Sequence, residues 1–307
     1  MRMSDRDYAG GRARAPVDPG SRWREYARLC RLNKPIGILL LLWPTLWGLW
    51  FAAGGLPPLN ILLVFTAGVV LMRSAGCAIN DYADRNIDAH VRRTRERPLA
   101  AGTISPKEAL TVFFVLSGIA LLLVLTLNLL TILLAIPACV LAVSYPFSKR
   151  FIDLPQAWLG VAFGWSVPMA YAAVTNAVPV EAWVLFVAVV LWAVVYDTFY
   201  AMVDREDDRV IGVRSSALLF GRNDRYITTL LQVQIVVILW MLGRQQVLGM
   251  LYFVGLAVVI GLFVYQQYLI RKRDPLRCFR AFLNNNWVGL AVFAGIALDD
   301  WFRIAAL

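Results

Sequence analysis

Long apolar runs, separated by short polar connections, make up most of the chain. A helix needs about 20 mostly apolar residues to cross the roughly 30 Å of hydrocarbon in a bilayer, and nine runs approach that length. The runs are continuously apolar and do not alternate with polar residues, which favours spanning helices over a barrel of strands. The predicted spans are 36–54, 59–80, 108–126, 128–145, 155–173, 180–202, 227–242, 247–269 and 286–303.

Composition supports the same interpretation. Hydrophobic residues make up 60% of the chain and charged residues only 16%, whereas soluble domains are nearer 45–50% apolar and about 25% charged. The predicted fold class is therefore an all-α polytopic membrane protein of about nine transmembrane helices. Residues 1–34 are predicted to form a tail with a short interfacial helix over 21–32, and residues 35–307 to form the membrane domain.

The distribution of charge orients these spans. A net charge of +10 would suggest a nucleic-acid partner in a soluble protein. Here nearly all Lys and Arg residues lie in the amino tail and in the connections 81–107, 146–154, 203–226 and 270–285, which the predicted topology places on one side. The positive-inside rule assigns that side to the cytoplasm. The sequence therefore predicts a membrane partner, no nucleic acid, and a cytoplasmic amino terminus.

Acidic residues concentrate where two of the predicted spans end on this side. Asn80, Asp84 and Asp88 follow one another at intervals of four residues, which places them on one stripe of a helix. The second cluster ends the sixth span and consists of Asp197, Asp204 and Asp208. At about 100° per residue, these three align to within roughly 20°. The recurrence predicts two four-helix repeats, 35–150 and 151–270, followed by a ninth helix.

Aligned carboxylates at the end of a membrane helix repel one another and need a positive partner. Carboxylate and amide oxygens suit Mg²⁺, which typically bridges one or two carboxylates to phosphate oxygens. The alternative is a solvated helix end held by salt bridges to Arg85, Arg92 or Arg209. The occurrence of two matched clusters favours the metal.

Basic groups near these clusters would complete a site for a diphosphate. Arg31 and Lys34 precede the first span, and Tyr145 and Lys149 bracket the end of the fourth. For each residue alone, the alternative is a positive-inside anchor or a contact with a lipid headgroup.

Arg73 lies within the second span, where an unpaired arginine is costly and should face the bundle interior and meet an anion. That anion is either Asp197 or the carboxylate of a ligand, which a planar guanidinium binds well.

Several of these motifs match a known family. They are Leu32-Asn-Lys-Pro-Ile-Gly37, Asn80-Asp81-x-x-Asp84-x-x-x-Asp88, Arg97-Pro98-Leu99, Tyr145-Pro-Phe-Ser-Lys149-Arg150, and Tyr196-Asp-Thr-Phe-Tyr-Ala-Met-Val-Asp204-Arg-Glu-Asp-Asp208. From Arg31 onward the chain resembles the UbiA superfamily of intramembrane prenyltransferases, and within it the 4-hydroxybenzoate polyprenyltransferases of ubiquinone biosynthesis.

The resemblance implies nine helices around a central cavity that opens sideways to lipid. It also implies that polyprenyl diphosphate and 4-hydroxybenzoate are the substrates, that Mg²⁺ is the cofactor, and that the site faces the cytoplasm in a bacterial inner membrane. Together with the stripe geometry, it predicts Asn80, Asp84, Asp88, Asp204 and Asp208 as metal ligands. Its further implied roles are catalytic for Asp197, Asp84 and Asp208, contact with the diphosphate for Arg31, Tyr145 and Lys149, and contact with the aromatic carboxylate for Arg73 and Ser166.

Two alternative functions stay open from the sequence. One is a transferase of the same superfamily with another acceptor, such as haem, a naphthoate or a chlorophyllide. The other is a cation-coupled transporter, whose acidic residues should lie near the bilayer midplane. The position of both acidic clusters at helix ends favours an enzyme.

Overall fold

The structure is a computed structural model that describes residues 19–88, 94–148 and 151–305, and every regular element in this part of the chain is helical. The elements are α1 (Pro19–Leu29), α2 (Ile36–Ala53), α3 (Leu59–Asp88), α4 (Pro106–Val124), α5 (Leu129–Ser148), α6 (Pro155–Gly164), α7 (Ser166–Thr175), α8 (Val180–Val203), α9 (Arg205–Ile211), α10 (Ser216–Phe220), a 3-10 turn (Gly221–Asn223), α11 (Asp224–Gln245), α12 (Met250–Ile270) and α13 (Pro275–Ala305).

Nine of the described segments are long and apolar enough to cross a membrane, which confirms the predicted number. The seventh and ninth spans begin earlier than predicted, at Ser216 and Pro275 rather than at 227 and 286. An apolar run marks only the part of a helix that fits hydrocarbon, while the helix itself continues through the polar interface. The ninth helix therefore extends beyond its apolar run, and the seventh span includes α10 and the 3-10 turn before α11. The predicted relation between 35–150 and 151–270 stays a prediction.

The fifth span is divided into α6 and α7 at Trp165. Pro168 explains the division, because its nitrogen cannot donate to the carbonyl of Gly164 and its ring crowds that carbonyl. The Trp165 indole nitrogen donates to the carbonyl of Leu134 at 2.9 Å, which ties the break to α5. Ser166, the first residue of α7, is thereby fixed in the interior of the bundle.

The amino-terminal helix α1 packs on the protein. Leu29 is fully buried in a cluster with Ala75 and Ala78 of α3, whereas Trp23 is 77% exposed. The Tyr26 hydroxyl donates to Glu108 at the start of α4 at 3.0 Å, and Arg22 pairs with the same carboxylate. These contacts fix the chain that leads into α2.

The main core lies among α2, α8, α11, α12 and α13. Trp47 stacks on Trp192 with 5.0 Å between ring centroids, and the Trp192 nitrogen donates to Asn285 at 2.9 Å. Buried amides continue this network between helices, with Gln232 donating to Gln266 at 2.9 Å and Gln266 donating to Asn284 at 3.0 Å. In lipid, paired polar side chains of this kind hold helices together. These five helices pack closely together, and the remaining helices enclose a cavity beside them.

Candidate active site

A cavity of about 940 Å³ enters the bundle at the end where α3 and α8 terminate. The lining residues of α3 run from Val64 to Asp81, which corresponds to about 25 Å at 1.5 Å per residue. Residues of α2, α4 to α8 and α13 complete its wall. The mouth is charged, and the part nearer the start of α3 is lined by apolar side chains such as Phe65 and Leu121. The shape and lining suit a ligand with a charged head and a long apolar tail.

Two arginines are fixed at the mouth by one buried carboxylate. Asp81 is 1% exposed and accepts hydrogen bonds from Nη2 of Arg31 at 2.7 and 3.0 Å. Nη1 of Arg97 lies 3.3 Å from Asp81 and 2.8 Å from Asp88, both across ion pairs. Arg31 itself has a positive φ of 57° where the chain turns from α1 toward α2. The predicted diphosphate contact Arg31 borders the cavity, and so does Arg97.

Members of both predicted clusters border this mouth. Asn80 borders the cavity from α3, Asp197 from α8, Asp208 from α9, and Asp204 from the junction between α8 and α9. Asp84 is buried and does not form part of the described wall. The carboxylates of the second cluster are therefore brought to one end of the cavity, where α3 contributes Asn80 and Asp81.

Asp88 has a different environment. It is buried outside the cavity wall, and one of its oxygens is engaged by Arg97. Asp88 therefore has an arginine partner, as in the predicted alternative, but it is buried rather than solvated and its partner is Arg97. Arg85 instead donates to the Tyr82 carbonyl at 2.6 Å, and Arg209 pairs with Glu206 at 3.0 Å. Arg92 lies outside the described residues.

The donor set fits a hard divalent cation. The Oδ1 atom of Asn80 is buried and has no hydrogen-bond partner in the described part of the chain, which leaves an amide oxygen available. Carboxylates lie close by at the mouth, and oxygen ligands are those that Mg²⁺ prefers. Among the described residues, however, no three His, Cys, Asp or Glu side chains converge on one metal position. Since Mg²⁺ is usually bound by one or two carboxylates together with substrate phosphates, a bound diphosphate would have to complete the set.

Deeper in the cavity, Arg73 lies where an anion is needed. Its Nε is buried with no hydrogen-bond partner among the described residues, and its Nη1 contacts the Cys77 sulfur at 3.1 Å. The guanidinium lies over the ring of Phe163, 5.7 Å from its centroid. Both predicted partners of Arg73 stay open, because Asp197 borders the same cavity and a guanidinium binds a ligand carboxylate through paired N–H donors.

Three other predicted residues border the same cavity, and they are Tyr145, Ser166 and Asp197. The Ser166 hydroxyl donates to the carbonyl of Phe163 at 3.0 Å, so the residue that carries the ring under Arg73 also orients this serine. Lys149, the remaining predicted contact of the diphosphate, lies outside the described residues.

Two further positions at the candidate site, Asp81 and Gly37, are not indicated by the sequence pattern. Asp81, which orients Arg31 and Arg97, lies off the stripe of Asn80, Asp84 and Asp88, so helical periodicity did not select it. Gly37 lies against the Arg73 guanidinium, and a Cβ there would be 2.5 Å from its Nε. A lone glycine in an apolar run carries no signal for such a contact.

The fold and the cavity define an integral-membrane protein whose cavity, with its acidic and basic mouth and apolar depth, suits an amphiphilic, anionic ligand. The chain belongs to the UbiA prenyltransferase family, whose sequence model matches residues 41–293. This confirms the family inferred from the motifs.

The relatives with known names share most of their length with this chain. A 4-hydroxybenzoate octaprenyltransferase of Saccharophagus degradans is 60% identical over 274 residues, covering 89% of this chain and 92% of the relative. The protein of the same name in Methylococcus capsulatus is 58% identical over 284 residues, covering 92% and 97%. That of Escherichia fergusonii is 56% identical over 276 residues, covering 90% and 95%.

Solved structures share the fold. A UbiA homolog from Aeropyrum pernix K1, solved without ligand, superposes with a TM-score of 0.77 at 26% identity, covering 85% of this chain and 97% of that protein. A UbiA homolog from Archaeoglobus fulgidus bound to GPP and Mg²⁺ gives a TM-score of 0.66 at 18% identity, covering 88% and 99%. These likenesses confirm the predicted all-helical membrane fold.

Proposed function

We propose that this chain transfers a polyprenyl group from polyprenyl diphosphate to 4-hydroxybenzoate, in the biosynthesis of ubiquinone. Relatives that carry this activity in their names are 56–60% identical over about nine-tenths of both chains. The structural observation that carries the proposal is the buried Arg73 with its unpartnered Nε, set between the charged mouth and the apolar depth of one cavity.

The donor would bind with its diphosphate at the mouth and its chain along the apolar wall. Arg31 and Arg97 are held in place by Asp81, so they offer positive charge without having to reorganise. The residues proposed to hold Mg²⁺ are Asn80, Asp84, Asp88, Asp204 and Asp208, with Asp88 already sharing one oxygen with Arg97. When bound, the metal supplies positive charge that stabilises the departing diphosphate. In support, the homolog from Archaeoglobus fulgidus binds GPP together with Mg²⁺.

The acceptor would be held by its carboxylate. Arg73 would pair with that group, and the Ser166 hydroxyl would turn from the Phe163 carbonyl, its acceptor in the structure, to donate to the carboxylate. The ring of 4-hydroxybenzoate would then lie within the cavity bordered by Asp197. A proton acceptor near the phenol favours the phenolate and enriches the ring carbon ortho to it. Tyr196 and Tyr200 border the same region, and their ring faces attract positive charge.

In the proposed reaction, the protein positions the two substrates and excludes water from the allylic centre. The allylic C–O bond of the donor breaks, and its electron pair leaves with the diphosphate. The ring carbon forms a C–C bond to the allylic carbon and then gives up its proton to the departed diphosphate, which restores aromaticity. The products are 3-polyprenyl-4-hydroxybenzoate and diphosphate. The apolar wall keeps water from the allylic centre, since hydrolysis is the competing reaction.

The positions of the basic residues support a location as well. We place the protein in a bacterial inner membrane with the mouth of the cavity on the cytoplasmic side, because the connections at that end carry most of the positive charge. The relatives in question are bacterial proteins.

The deciding experiment incubates membranes that contain the protein with labelled 4-hydroxybenzoate, a polyprenyl diphosphate and Mg²⁺. We expect a lipid-extractable product that disappears on chelation and returns with added Mg²⁺. Parallel incubations with a dihydroxynaphthoate or haem test the alternative acceptors. Product formation with one of these and none with 4-hydroxybenzoate would refute the proposed acceptor, and ion flux without any prenylated product would indicate the transporter.

A further inference from the structure

A second pocket, of about 210 Å³, lies apart from the cavity, among α9, α10, the 3-10 turn and the connection from α12 to α13. Four of its seven lining residues are arginines, and no carboxylate lines it. The lining consists of Arg205, Arg209, Arg222 and Arg273 together with Ala217, Leu218 and Gly221. We refer to it as the arginine pocket.

One buried carboxylate fixes two of these arginines from beneath. Asp224 is fully buried, and Arg273 donates to it from Nη2 at 2.8 Å and from Nε at 2.9 Å. Arg205 pairs with the same carboxylate. The two guanidinium groups are thus held close together, although they repel each other, and this arrangement is built into the fold.

The arginine pocket retains positive charge after these pairs are counted. In the ion pairs of the described residues, its four guanidinium groups are matched by two carboxylates, those of Asp224 and of Glu206, the partner of Arg209. In addition, the Nε of Arg205 is buried and has no hydrogen-bond partner in the described part of the chain. An unsatisfied buried donor beside excess positive charge calls for an anion.

The pocket also lies at the level where the apolar zone begins. The seventh span starts at Ser216, and the neighbouring Leu219 and Tyr226 are 55% and 74% exposed. At the end of α12, Arg271 lies over the ring of the half-exposed Tyr268, 4.0 Å from its centroid. Tyrosines and arginines in this arrangement mark the headgroup level of a bilayer. An anion in the arginine pocket would therefore have an apolar surface directly beside it.

We propose that the arginine pocket binds the phosphate group of an anionic phospholipid, whose acyl chains lie along the exposed face of α11. Guanidinium groups bind phosphate through paired N–H donors, and basic pockets between membrane helices bind anionic headgroups. The consequence reaches the active site, because Arg205 directly follows Asp204 and belongs to α9, the helix that carries Asp208. A bound phospholipid would hold the segment that brings these carboxylates to the cavity.

The test measures lipid binding to the full-length protein in detergent by native mass spectrometry, with phosphatidylglycerol and phosphatidylcholine as probes. Arg209→Gln/Arg222→Gln removes two cations of the pocket and leaves both partners of Asp224 in place. We expect its apparent Kd for phosphatidylglycerol to rise at least about tenfold, as for the loss of a charge-assisted hydrogen bond. The matched control is Lys272→Gln, an exposed basic residue beside Arg273 that does not line the pocket.

Thermal unfolding with each lipid, and with inorganic phosphate or diphosphate, separates the sources of the phosphate group. The proposal expects phosphatidylglycerol to raise the melting temperature of the wild type and of Lys272→Gln, with a smaller rise for the double variant. An equal loss of binding in Lys272→Gln would show general attraction to charge and overturn the site. Binding of phosphatidylcholine by the wild type as tightly as phosphatidylglycerol would also overturn the proposal. So would a rise in melting temperature with free phosphate but not with phosphatidylglycerol.

Discussion

The guanidinium of Arg73 lies against the backbone of Gly37, so closely that a Cβ at position 37 would come within 2.5 Å of both Nε and Nη2. The first turn of α2 thus leaves space for a side chain that α3 projects into the cavity. Because Gly37 has no side chain, the buried Nε and Nη2 edge of Arg73 can lie in the space where a Cβ would stand.

Replacement of this glycine should therefore act through Arg73. We expect Gly37→Ala to raise the KM for 4-hydroxybenzoate more than about tenfold, since misplacement by about 1 Å can cost 100-fold in rate. The KM for the prenyl diphosphate should change much less. Gly261→Ala is the matched control, because a Cβ at that position of α12 meets nothing within 4 Å. Equal changes in both KM values would show that Gly37→Ala disturbs the whole cavity.

The charge of Arg73 and its geometry can be separated. Arg73→Lys keeps the positive charge but loses the paired N–H donors, so we expect the KM for 4-hydroxybenzoate to rise about 10- to 100-fold. Arg73→Ala should raise the KM for 4-hydroxybenzoate further and should leave the KM for the prenyl diphosphate nearly unchanged. Steady-state kinetics with each substrate varied in turn measures the difference. A larger effect on the prenyl diphosphate would contradict the assignment of Arg73 to the aromatic carboxylate.

Substitutions of the acidic residues should differ in how much they raise the Mg²⁺ concentration needed for activity. Asp208 borders the cavity, whereas Asp88 lies outside its wall and pairs with Arg97. We expect Asp208→Asn to raise the Mg²⁺ concentration for half-maximal activity by at least about tenfold, and Asp88→Asn to raise it less while lowering thermal stability. Titration of Mg²⁺ into chelated membranes measures both. Normal turnover of both Asp84→Ala and Asp208→Ala, in protein that still inserts, would refute the metal site.

Cys30 reports whether α1 stays on the bundle. Burial beside α3 raises the pKa of its thiol to about 11, because the thiolate loses its hydration. At pH 7.5 such a thiol is only about 0.03% ionised, against roughly 10% for an ordinary cysteine with a pKa near 8.5. We expect iodoacetamide to modify Cys30 very slowly at pH 7.5 and faster as the pH approaches 11. Peptide mapping identifies the site, with protein unfolded in detergent as the control. Rapid modification at pH 7.5 would show that α1 detaches.

The sequence by itself determined the spans, because the hydrocarbon of the bilayer restricts an apolar run to helical structure. In hydrocarbon every backbone N–H and C=O must bond within its own segment, so a long apolar run is a helix. The alignment of the acidic residues could also be predicted, since the period of a single helix is enough to place Asn80 and Asp84 on one stripe. Helix ends were less well determined. The apolar run of the ninth span begins at 286, but α13 begins at Pro275, because the helix includes the polar residues before that run.

Tertiary structure alone decided which side chains meet. Asp81 orients Arg31 and Arg97, which come from different segments, and no periodicity relates the three. Gly37 and Arg73 belong to different helices, and the arginine pocket draws on residues from α9 to the connection after α12. Such contacts depend on how helices pack. Packing is set by the shapes of many side chains at once, whereas the hydropathy pattern records only which residues avoid water.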